Sequence, residues 1–307
     1  MSLSAVHLRF EARLASPDHG LRYLGPTLRG AFGKALKSTV CQQRHGECAR
    51  CLLLQACPYP AIFEGRPQAG QRSWTAPAAP QPFVLTVAPP FTWDGDSSTL
   101  RWGLTLLGFA AAWSPYVVEA FMRIGKHGIG KTGTQYALER VTNGVTGEDL
   151  CKQGEDTMRP PAASPLVLRE PPTDGVVRWR LHTPLHIRES STELHSVDGL
   201  ALIQAGRRRW RLLESFYGNP PDPICAQPNP ALPKADAFVT REIALRAWDI
   251  ERYSGRQQRR VTLAGLIGEA VIEGPWSAVG PWIRSVEQIN LGKYASFGFG
   301  RVTWEML

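Results

Sequence analysis

The chain has 307 residues, enough for two domains of ordinary size, and its hydrophobic fraction of 43% is typical of a globular protein. No apolar run approaches the ~20 residues that span a bilayer, and the opening residues MSLSAVHLRF carry charge where a signal peptide is apolar, so we expect a cytoplasmic protein without membrane contact. The net charge of +8 favours a polyanionic partner, although a basic enzyme with another kind of substrate stays open at this point.

The first half of the chain predicts the element order βαββαβ. Pro26 suits the first turn of a helix, and Leu28, Phe32, Leu36 and Val40 recur every four residues behind it. The predicted elements are a strand at Ala5–Leu14, a helix at Pro26–Val40, strands at Pro82–Ala88 and Thr99–Leu106, a helix at Gly108–Arg123 and a strand at Thr134–Val141. A cysteine cluster and a proline-rich stretch are inserted after the first helix.

The same order recurs after a linker at 151–175 that is rich in proline and charge. The predicted elements are a strand at Val176–Ile187, a helix at Gly199–Tyr217, a hairpin of Ile243–Tyr253 and Arg260–Ile272, a short helix at Pro275–Val286 and a strand at Gly298–Met306. We therefore predict an α+β protein with two tandem ferredoxin-like domains, at 1–150 and 176–307, each an antiparallel sheet with two helices on one face.

Four of the six cysteines cluster between residues 41 and 57, at Cys41, Cys48, Cys51 and Cys57. Disulfide frameworks are rare in the cytosol, whereas the C-x₂-C pair lets one turn present two thiolates to a metal. We expect a structural zinc ion in a four-cysteine knuckle, since four thiolates leave no open position for a substrate. An iron–sulfur cluster, a site in which His45 replaces one cysteine, and four unligated thiols stay open.

A glycine-rich segment at 290–301, the C-terminal glycine loop, lies just before the last predicted strand. Glycines let a backbone take positive φ and approach a ligand closely. Lys293 and Arg301 can neutralise phosphates, and Tyr294, Phe297 and Phe299 can offer faces on which bases stack. Because the loop lacks the strand-to-helix context of a dinucleotide fingerprint, we exclude that function and predict RNA contacts there. The predicted RNA-binding residues of the loop are Gly292, Lys293, Gly298, Gly300 and Arg301.

Other basic residues support a nucleic-acid surface. The N-terminal glycine loop, residues 125–133, occupies the equivalent place in the first half and offers Lys126 and Lys131. The helix at Gly199–Tyr217 carries arginines opposite the apolar stripe of Ile203, Trp210 and Leu213, and the predicted hairpin turn carries more. These arginines are Arg207, Arg208 and Arg211 on the helix and Arg252, Arg256, Arg259 and Arg260 at the hairpin turn. A solvated charged face is the alternative, but the two loops favour nucleic acid.

Several motifs together resemble one family. The stretch GLIGEAVIEGP…NLGKYASFGFGRV resembles the signature of the CRISPR-associated repeat-processing endoribonucleases of the RAMP (repeat-associated mysterious protein) superfamily. Their loop follows G-x-G-x₅-G-x-G, which Gly292, Gly298 and Gly300 match. Asn290 replaces the first glycine, and asparagine tolerates positive φ better than most residues. The opening LGPTLRGAFGKAL, followed by the cysteines, is similar to a cysteine-cluster subgroup.

The resemblance implies a fold, an activity and a set of partners. The fold is a pair of ferredoxin-like domains, as the element order predicts. The activity is metal-independent cleavage of precursor CRISPR RNA within its repeats, giving a 2′,3′-cyclic phosphate, a 5′-hydroxyl and mature guide RNAs. The partners are CRISPR repeat RNA and other CRISPR-associated proteins of an effector complex.

The resemblance also places the active site around the first strand–helix connection and the first helix. Cleavage by the RNA's own 2′-hydroxyl needs proton transfer and charge stabilisation, and histidine titrates near neutrality. We expect His19 to be the general acid/base with Tyr23 and Lys37 assisting, and His45 to be the second choice. Two alternatives stay open: a non-catalytic RAMP subunit that binds repeat RNA, and a metal-cluster protein whose basic surface is incidental.

Overall fold

The computed structural model describes residues 2–16, 24–43, 47–64, 79–87, 98–155, 157–166, 173–189, 192–193, 198–219, 233–254, 258–279 and 281–307. The chain divides into two compact units. The first comprises Met1–Pro165 with Leu213–Asp222, and the second comprises Leu166–Leu212 with Pro223–Leu307. None of the helices described is long and apolar enough to cross a membrane.

The first unit is built on one antiparallel sheet. Its elements are β1 (Ser2–Leu14), α1 (Leu24–Val40), α2 (Pro58–Phe63), β2 (Phe83–Val87), β3 (Thr99–Leu107), α3 (Ser114–His127), β4 (Tyr136–Asn143), β5 (Asp149–Lys152) and β6 (Ser164–Pro165). The strands lie in the order β2-β3-β1-β4-β5, and β6 pairs with β1. β1 is antiparallel to both of its long neighbours, β3 and β4.

Aromatic side chains hold α1 and α3 against this sheet. Phe32 of α1 stacks on Phe121 of α3 with ring centroids 5.0 Å apart, and Phe121 also lies 4.8 Å from Phe10 of β1. Phe32 meets Phe83 of β2 edge-on at 5.6 Å. Each of these rings is at most 2% exposed. The four-residue spacing that predicts α1 therefore marks the face that packs onto the sheet.

The second unit repeats the arrangement. Its elements are β7 (Gly175–Leu185), β8 (Arg188–Glu189), β9 (Thr192–Glu193), α4 (Gly199–Tyr217), β11 (Val239–Ser254), β12 (Arg259–Gly274), α5 (Val286–Ile289) and β13 (Val302–Met306). The short strand β10 (Gly218–Asn219) and the end of α4 from Leu213 onward belong to the first unit, where β10 pairs with β1. The main sheet has the order β11-β12-β7-β13, and neighbouring strands are antiparallel. Trp179, which is fully buried, lies at its centre between Trp276 and Trp304.

The predicted α+β class with two antiparallel sheets is confirmed, and both units are consistent with the ferredoxin-like order βαββαβ. Three details differ from the sequence prediction. The helix predicted at Gly108–Arg123 is a 3₁₀ helix at Gly108–Trp113 followed by α3, because Pro115 suits only the first turn of a helix. The helix predicted at Pro275–Val286 is a series of short turns that end in α5. Part of the stretch predicted as linker instead contributes β6 to the first sheet.

Candidate nucleic-acid interface

The C-terminal glycine loop is closed at its neck and fastened to the end of β7. The Leu291 N–H donates to the Gly300 carbonyl at 2.7 Å, which joins the two ends of the loop. The Lys293 N–H donates to the His186 carbonyl and the Gly300 N–H to the Pro184 carbonyl, each at 2.9 Å. These bonds satisfy backbone groups that a free loop would leave to water, so the loop is a fixed part of the second unit.

Two glycines of the loop are required by its backbone. Gly300 has φ 71°, and a Cβ there would lie 1.8 Å from the Leu291 carbonyl oxygen. Gly292 has φ 75°, and its Cβ would lie 2.4 Å from the His186 carbonyl oxygen. Neither position can hold another residue without moving the backbone. The glycine pattern therefore specifies the shape of the loop.

Asn290 takes the place of the first glycine of the family pattern. Its backbone has φ 56° and ψ 158°, a combination that is otherwise almost confined to glycine. The side chain compensates, because Nδ2 donates to the Phe299 carbonyl at 2.9 Å inside the loop. The sequence prediction that the loop tolerates this exchange agrees with the geometry.

The aromatic side chains of the loop do not form stacking faces for bases, as the sequence analysis expected. Phe299 is fully buried and Phe297 is only 7% exposed. Tyr294 is half-buried and lies 5.9 Å from both rings, edge to face. The expectation was wrong for Phe297 and Phe299 because these rings form the inner side of the loop. The Lys293 side chain is exposed.

One face of β11 lies against the loop. Alternate residues of a strand point the same way, and here they are Trp248, Ile250 and Arg252. Trp248 meets Phe299 at 6.1 Å, Ile250 is 2% exposed, and the Arg252 guanidinium carbon lies 4.6 Å from the Phe297 ring centroid. We expected Arg252 to group with the arginines of the hairpin turn. The alternation W-x-I-x-R already placed it on the same face of β11 as Trp248 and Ile250.

The N-terminal glycine loop is shorter than predicted because α3 continues to His127. Lys126 therefore lies in the last turn of α3 and Lys131 in the turn that follows, and both side chains are exposed. The Ile129 N–H donates to the Thr134 carbonyl at 2.9 Å, which closes this turn. Both lysines are thus available on the surface of the first unit.

The arginines of α4 lie as the helical spacing predicts. The apolar stripe of Ile203, Trp210 and Leu213 is buried, Arg208 is exposed, and Arg207 and Arg211 are half-buried. Burial lowers the pKa of Arg207, and the neighbouring charge of Arg211 lowers it further. Two adjacent positive charges of this kind attract an anion.

The arginines of the β11–β12 hairpin are only partly within the described residues. Arg259 and Arg260 are exposed, and Arg260 pairs with Glu251 at 3.5 Å. Arg256 lies outside the described residues. The assignment of these side chains to RNA contacts stays a prediction.

Three of the four catalytic candidates, His19, Tyr23 and His45, lie outside the described residues. The fourth, Lys37, is half-buried in the last turn of α1, with Nζ 5.5 Å from the ring centroid of Tyr59. Lys37 thus lies beside the cysteine cluster, and its placement with the other three candidates stays a prediction.

The four histidines within the described residues are engaged in hydrogen bonds of their own units. His7 Nδ1 lies 2.9 Å from Thr105 Oγ1, and His182 Nε2 lies 2.7 Å from Thr303 Oγ1. His127 and His186 bind backbone carbonyls through Nδ1 at 2.8 and 2.9 Å. Burial lowers the pKa of His7 and of His182, with nearby arginine charges acting in the same direction. These two rings are therefore poor proton donors at neutral pH.

The four cysteines of the cluster line one pocket. Cys41 directly follows α1, Cys48 and Cys51 flank a single 3₁₀ turn, and Cys57 caps α2. All four are half-buried free thiols. Burial raises the pKa of Cys57, and the nearby Cys41 and Cys51 add to it. Within the described ranges, however, no three His, Cys, Asp or Glu side chains lie close enough together to hold a metal ion.

Two family models match the chain. Residues 3–163 match a model described as "N-terminal domain", and residues 179–302 match the model for the CRISPR-associated endoribonuclease Cas6. The C-terminal part of the chain, residues 179–302, therefore belongs to the CRISPR-associated Cas6 endoribonuclease family. The Cas6 match includes the whole C-terminal glycine loop, so the family resemblance of that loop is confirmed. Membership of a cysteine-cluster subgroup stays a prediction.

Solved Cas6 structures have a similar fold. A Cas6 product complex is 16% identical, with 98% of this chain and 99% of that chain covered and a TM-score of 0.56. The Cas6 of Thermus thermophilus is 16% identical in sequence. The match covers 99% of this chain and 100% of the Thermus chain, with a TM-score of 0.54. A chain of a partial Cas6-RT-Cas1–Cas2 complex is 10% identical in sequence. The match covers 99% of this chain and 46% of that chain, with a TM-score of 0.53. At these identities the likeness concerns the fold alone, and no curated protein matches the sequence.

Proposed function

We propose that the protein is a cytoplasmic, metal-independent endoribonuclease of the Cas6 type that cleaves precursor CRISPR RNA within its repeats and so supplies guide RNAs for antiviral defence. The observation that carries the proposal is the C-terminal glycine loop. It lies within the Cas6 match, its backbone is fixed, and its exposed residue is a lysine. A rigid, basic loop holds an RNA backbone in one register, which cleavage at a single position requires.

The chemical step needs no group from outside the RNA and the protein side chains. A base removes the proton of the 2′-hydroxyl, and the oxygen attacks the adjacent phosphorus. The bond to the 5′-oxygen then breaks, and an acid gives that oxygen a proton, which leaves a 2′,3′-cyclic phosphate and a 5′-hydroxyl. We assign the proton transfers to His19, with Tyr23 and Lys37 assisting and His45 as the second choice.

Binding is assigned to the basic side chains of both units, which neutralise phosphates of the RNA backbone. These residues are Lys126, Lys131, Arg207, Arg208, Arg211, Arg256, Arg259, Arg260, Lys293 and Arg301. We further propose that the protein associates with other CRISPR-associated proteins, which is supported by the fold it shares with the Cas6 part of a Cas6-RT-Cas1–Cas2 assembly.

The test is site-specific cleavage of the CRISPR repeat from the same genome, compared with a shuffled RNA of equal length. The expected result is one cut within the repeat, and a single 2′-deoxy substitution at the cut nucleotide should abolish it because the nucleophile is gone. Tight binding of the repeat without any cleavage product would contradict the nuclease function. It would favour the alternative, a non-catalytic RAMP subunit that holds repeat RNA in an effector complex. Lack of affinity for the repeat would contradict both functions.

We also propose that the four cysteines hold a structural zinc ion. The chemistry of the donor set fits zinc, and all four cysteines line one pocket, which supports a shared ligand. Lys37 supports this site electrostatically. Burial and the neighbouring Glu64 raise the pKa of Cys48, whereas the Lys37 charge lowers it and so favours the thiolate. The ion would fix the segment between α1 and α2 and has no part in cleavage.

The metal proposal predicts about one zinc ion per chain by elemental analysis of purified protein. Cys48→Ser should reduce the zinc content strongly, whereas Cys225→Ser, an equal exchange outside the cluster, should leave it unchanged. Visible absorbance together with bound iron would show that the cysteines hold an iron–sulfur cluster instead of zinc. If the wild-type protein contains no metal, the zinc proposal is wrong and the four cysteines are unligated thiols.

A further inference from the structure

Arg252 is held on a rigid platform in the second unit. Its guanidinium carbon lies 4.6 Å from the centroid of the Phe297 ring, within the range of a cation–π contact. Phe297 itself cannot move easily, because it is 7% exposed and its N–H donates to the Tyr294 carbonyl at 2.8 Å. The glycine loop thus fixes the position of an arginine that belongs to another element, β11.

The guanidinium of Arg252 lacks hydrogen-bond and ion-pair partners among the described residues. The Nε–H is buried and has no hydrogen-bond partner among them, and no carboxylate among them pairs with the guanidinium. Arg241 on the same strand, in contrast, pairs with Glu273. Burial lowers the pKa of Arg252, and the nearby Tyr294 acts in the opposite direction. A half-buried cation that finds no partner anion among the described residues is costly to keep unless another anion completes it.

We propose that Arg252 binds a phosphodiester group of the RNA, an inference that rests on the proposed function. A guanidinium is planar and offers paired N–H groups that match two phosphate oxygens. Phe297 covers one face of the Arg252 guanidinium, so the edge of the guanidinium can bind the phosphate. The half-buried Tyr294 and the exposed Lys293 belong to the same loop as Phe297. The buried aromatic side chains of the loop then contribute to RNA binding indirectly, by positioning this arginine.

The same geometry distinguishes Arg252 from the arginines at the tip of the hairpin. Arg260 is 81% exposed in its side chain and is paired with Glu251, so water and the carboxylate weaken its attraction for a phosphate. Arg252 is partly desolvated and its position is already fixed, so less freedom is lost when a phosphate binds. The effect of its replacement should therefore exceed that of a tip arginine.

The test compares Arg252→Gln with the matched control Arg241→Gln, which removes the same charge from the same strand. Affinity for the uncleavable 2′-deoxy repeat RNA is measured as a function of salt. Arg252→Gln should weaken binding about tenfold or more and reduce the salt slope by about 1, whereas Arg241→Gln should change neither appreciably. Arg252→Lys, which keeps the charge but not the planar fork, should lie between wild type and Arg252→Gln.

Equal, small effects of Arg252→Gln and Arg241→Gln on a wild type that binds the repeat would overturn this inference alone. A wild type without affinity for the repeat would overturn the proposed function and the inference together. A lowered melting temperature with full affinity of the folded fraction would assign Arg252 a purely structural role, which also contradicts the proposal. Phe297→Leu provides a second measurement, because it removes the aromatic platform and keeps the charge. It should weaken binding in the same direction.

Discussion

Replacement of His19 by alanine is expected to lower the single-turnover rate of repeat cleavage by about 10²- to 10⁴-fold, while affinity for the RNA stays unchanged. The 5′-oxygen is a poor leaving group unless it receives a proton as its bond to phosphorus breaks. A histidine suits this task because its ordinary pKa lies near neutrality. The four histidines described in the structure are all engaged in hydrogen bonds elsewhere. The rate should be measured with enzyme in excess, so that product release does not mask the chemical step.

Two controls show whether His19 acts as the acid. A substrate with sulfur in place of the bridging 5′-oxygen needs no proton on its leaving group, so it should be cleaved at a similar rate by wild type and by His19→Ala. His195→Ala, the same exchange at a histidine with no assigned role, should leave the rate unchanged. If His19→Ala cleaves the natural substrate at the wild-type rate, His19 is not the general acid, and His45 becomes the first candidate for that role.

Replacement of Gly300 by alanine is expected to reduce the free energy of unfolding of the second unit by about 3 kcal/mol or more. The residue has φ 71°, and the added Cβ would meet the Leu291 carbonyl oxygen at 1.8 Å. The loop could accommodate the methyl group only by opening its neck, which breaks the bond from the Leu291 N–H to the Gly300 carbonyl. Denaturant unfolding followed by tryptophan fluorescence would measure this loss, because Trp179 and Trp304 lie in the same unit.

Asn290→Gly is the matched control for this prediction. The exchange relieves a backbone conformation that asparagine rarely adopts, and it removes the hydrogen bond from Nδ2 to the Phe299 carbonyl. Each effect amounts to about 1 kcal/mol, and they oppose each other, so the stability should change by about 1 kcal/mol at most. Equal stability of Gly300→Ala and wild type would contradict the closed loop described above.

Periodicity and turn residues predicted much of the fold. The four-residue repeat in α1 and the stripe of Ile203, Trp210 and Leu213 in α4 mark faces that are buried in the structure. The short strand β6 was not predictable, because two residues have no period and pair only through tertiary context. The 3₁₀ helix ahead of α3 has a local signal in Pro115, because proline suits only the first turn of a helix.

The backbone conformation of the C-terminal glycine loop was predictable, and the packing of its side chains was less so. The glycine spacing correctly indicated a loop of special conformation, and Asn290 was correctly expected to fit it. The burial of Phe297 and Phe299 depends on Trp248 and Arg252, which lie on a strand distant in sequence. No local pattern indicates which side of a loop such a strand will cover. For the same reason the helical position of Lys37 did not predict its contact with Tyr59.

The most direct test of the account is incubation of the purified protein with the CRISPR repeat RNA of the same genome in excess EDTA. We expect a single cut that proceeds at the same rate with and without the chelator. The upstream product should carry a 2′,3′-cyclic phosphate, and a 2′-deoxy substitution at the cut nucleotide should abolish the reaction. Loss of cleavage in EDTA with recovery on addition of a divalent cation, or an upstream product with a free 3′-hydroxyl, would contradict it.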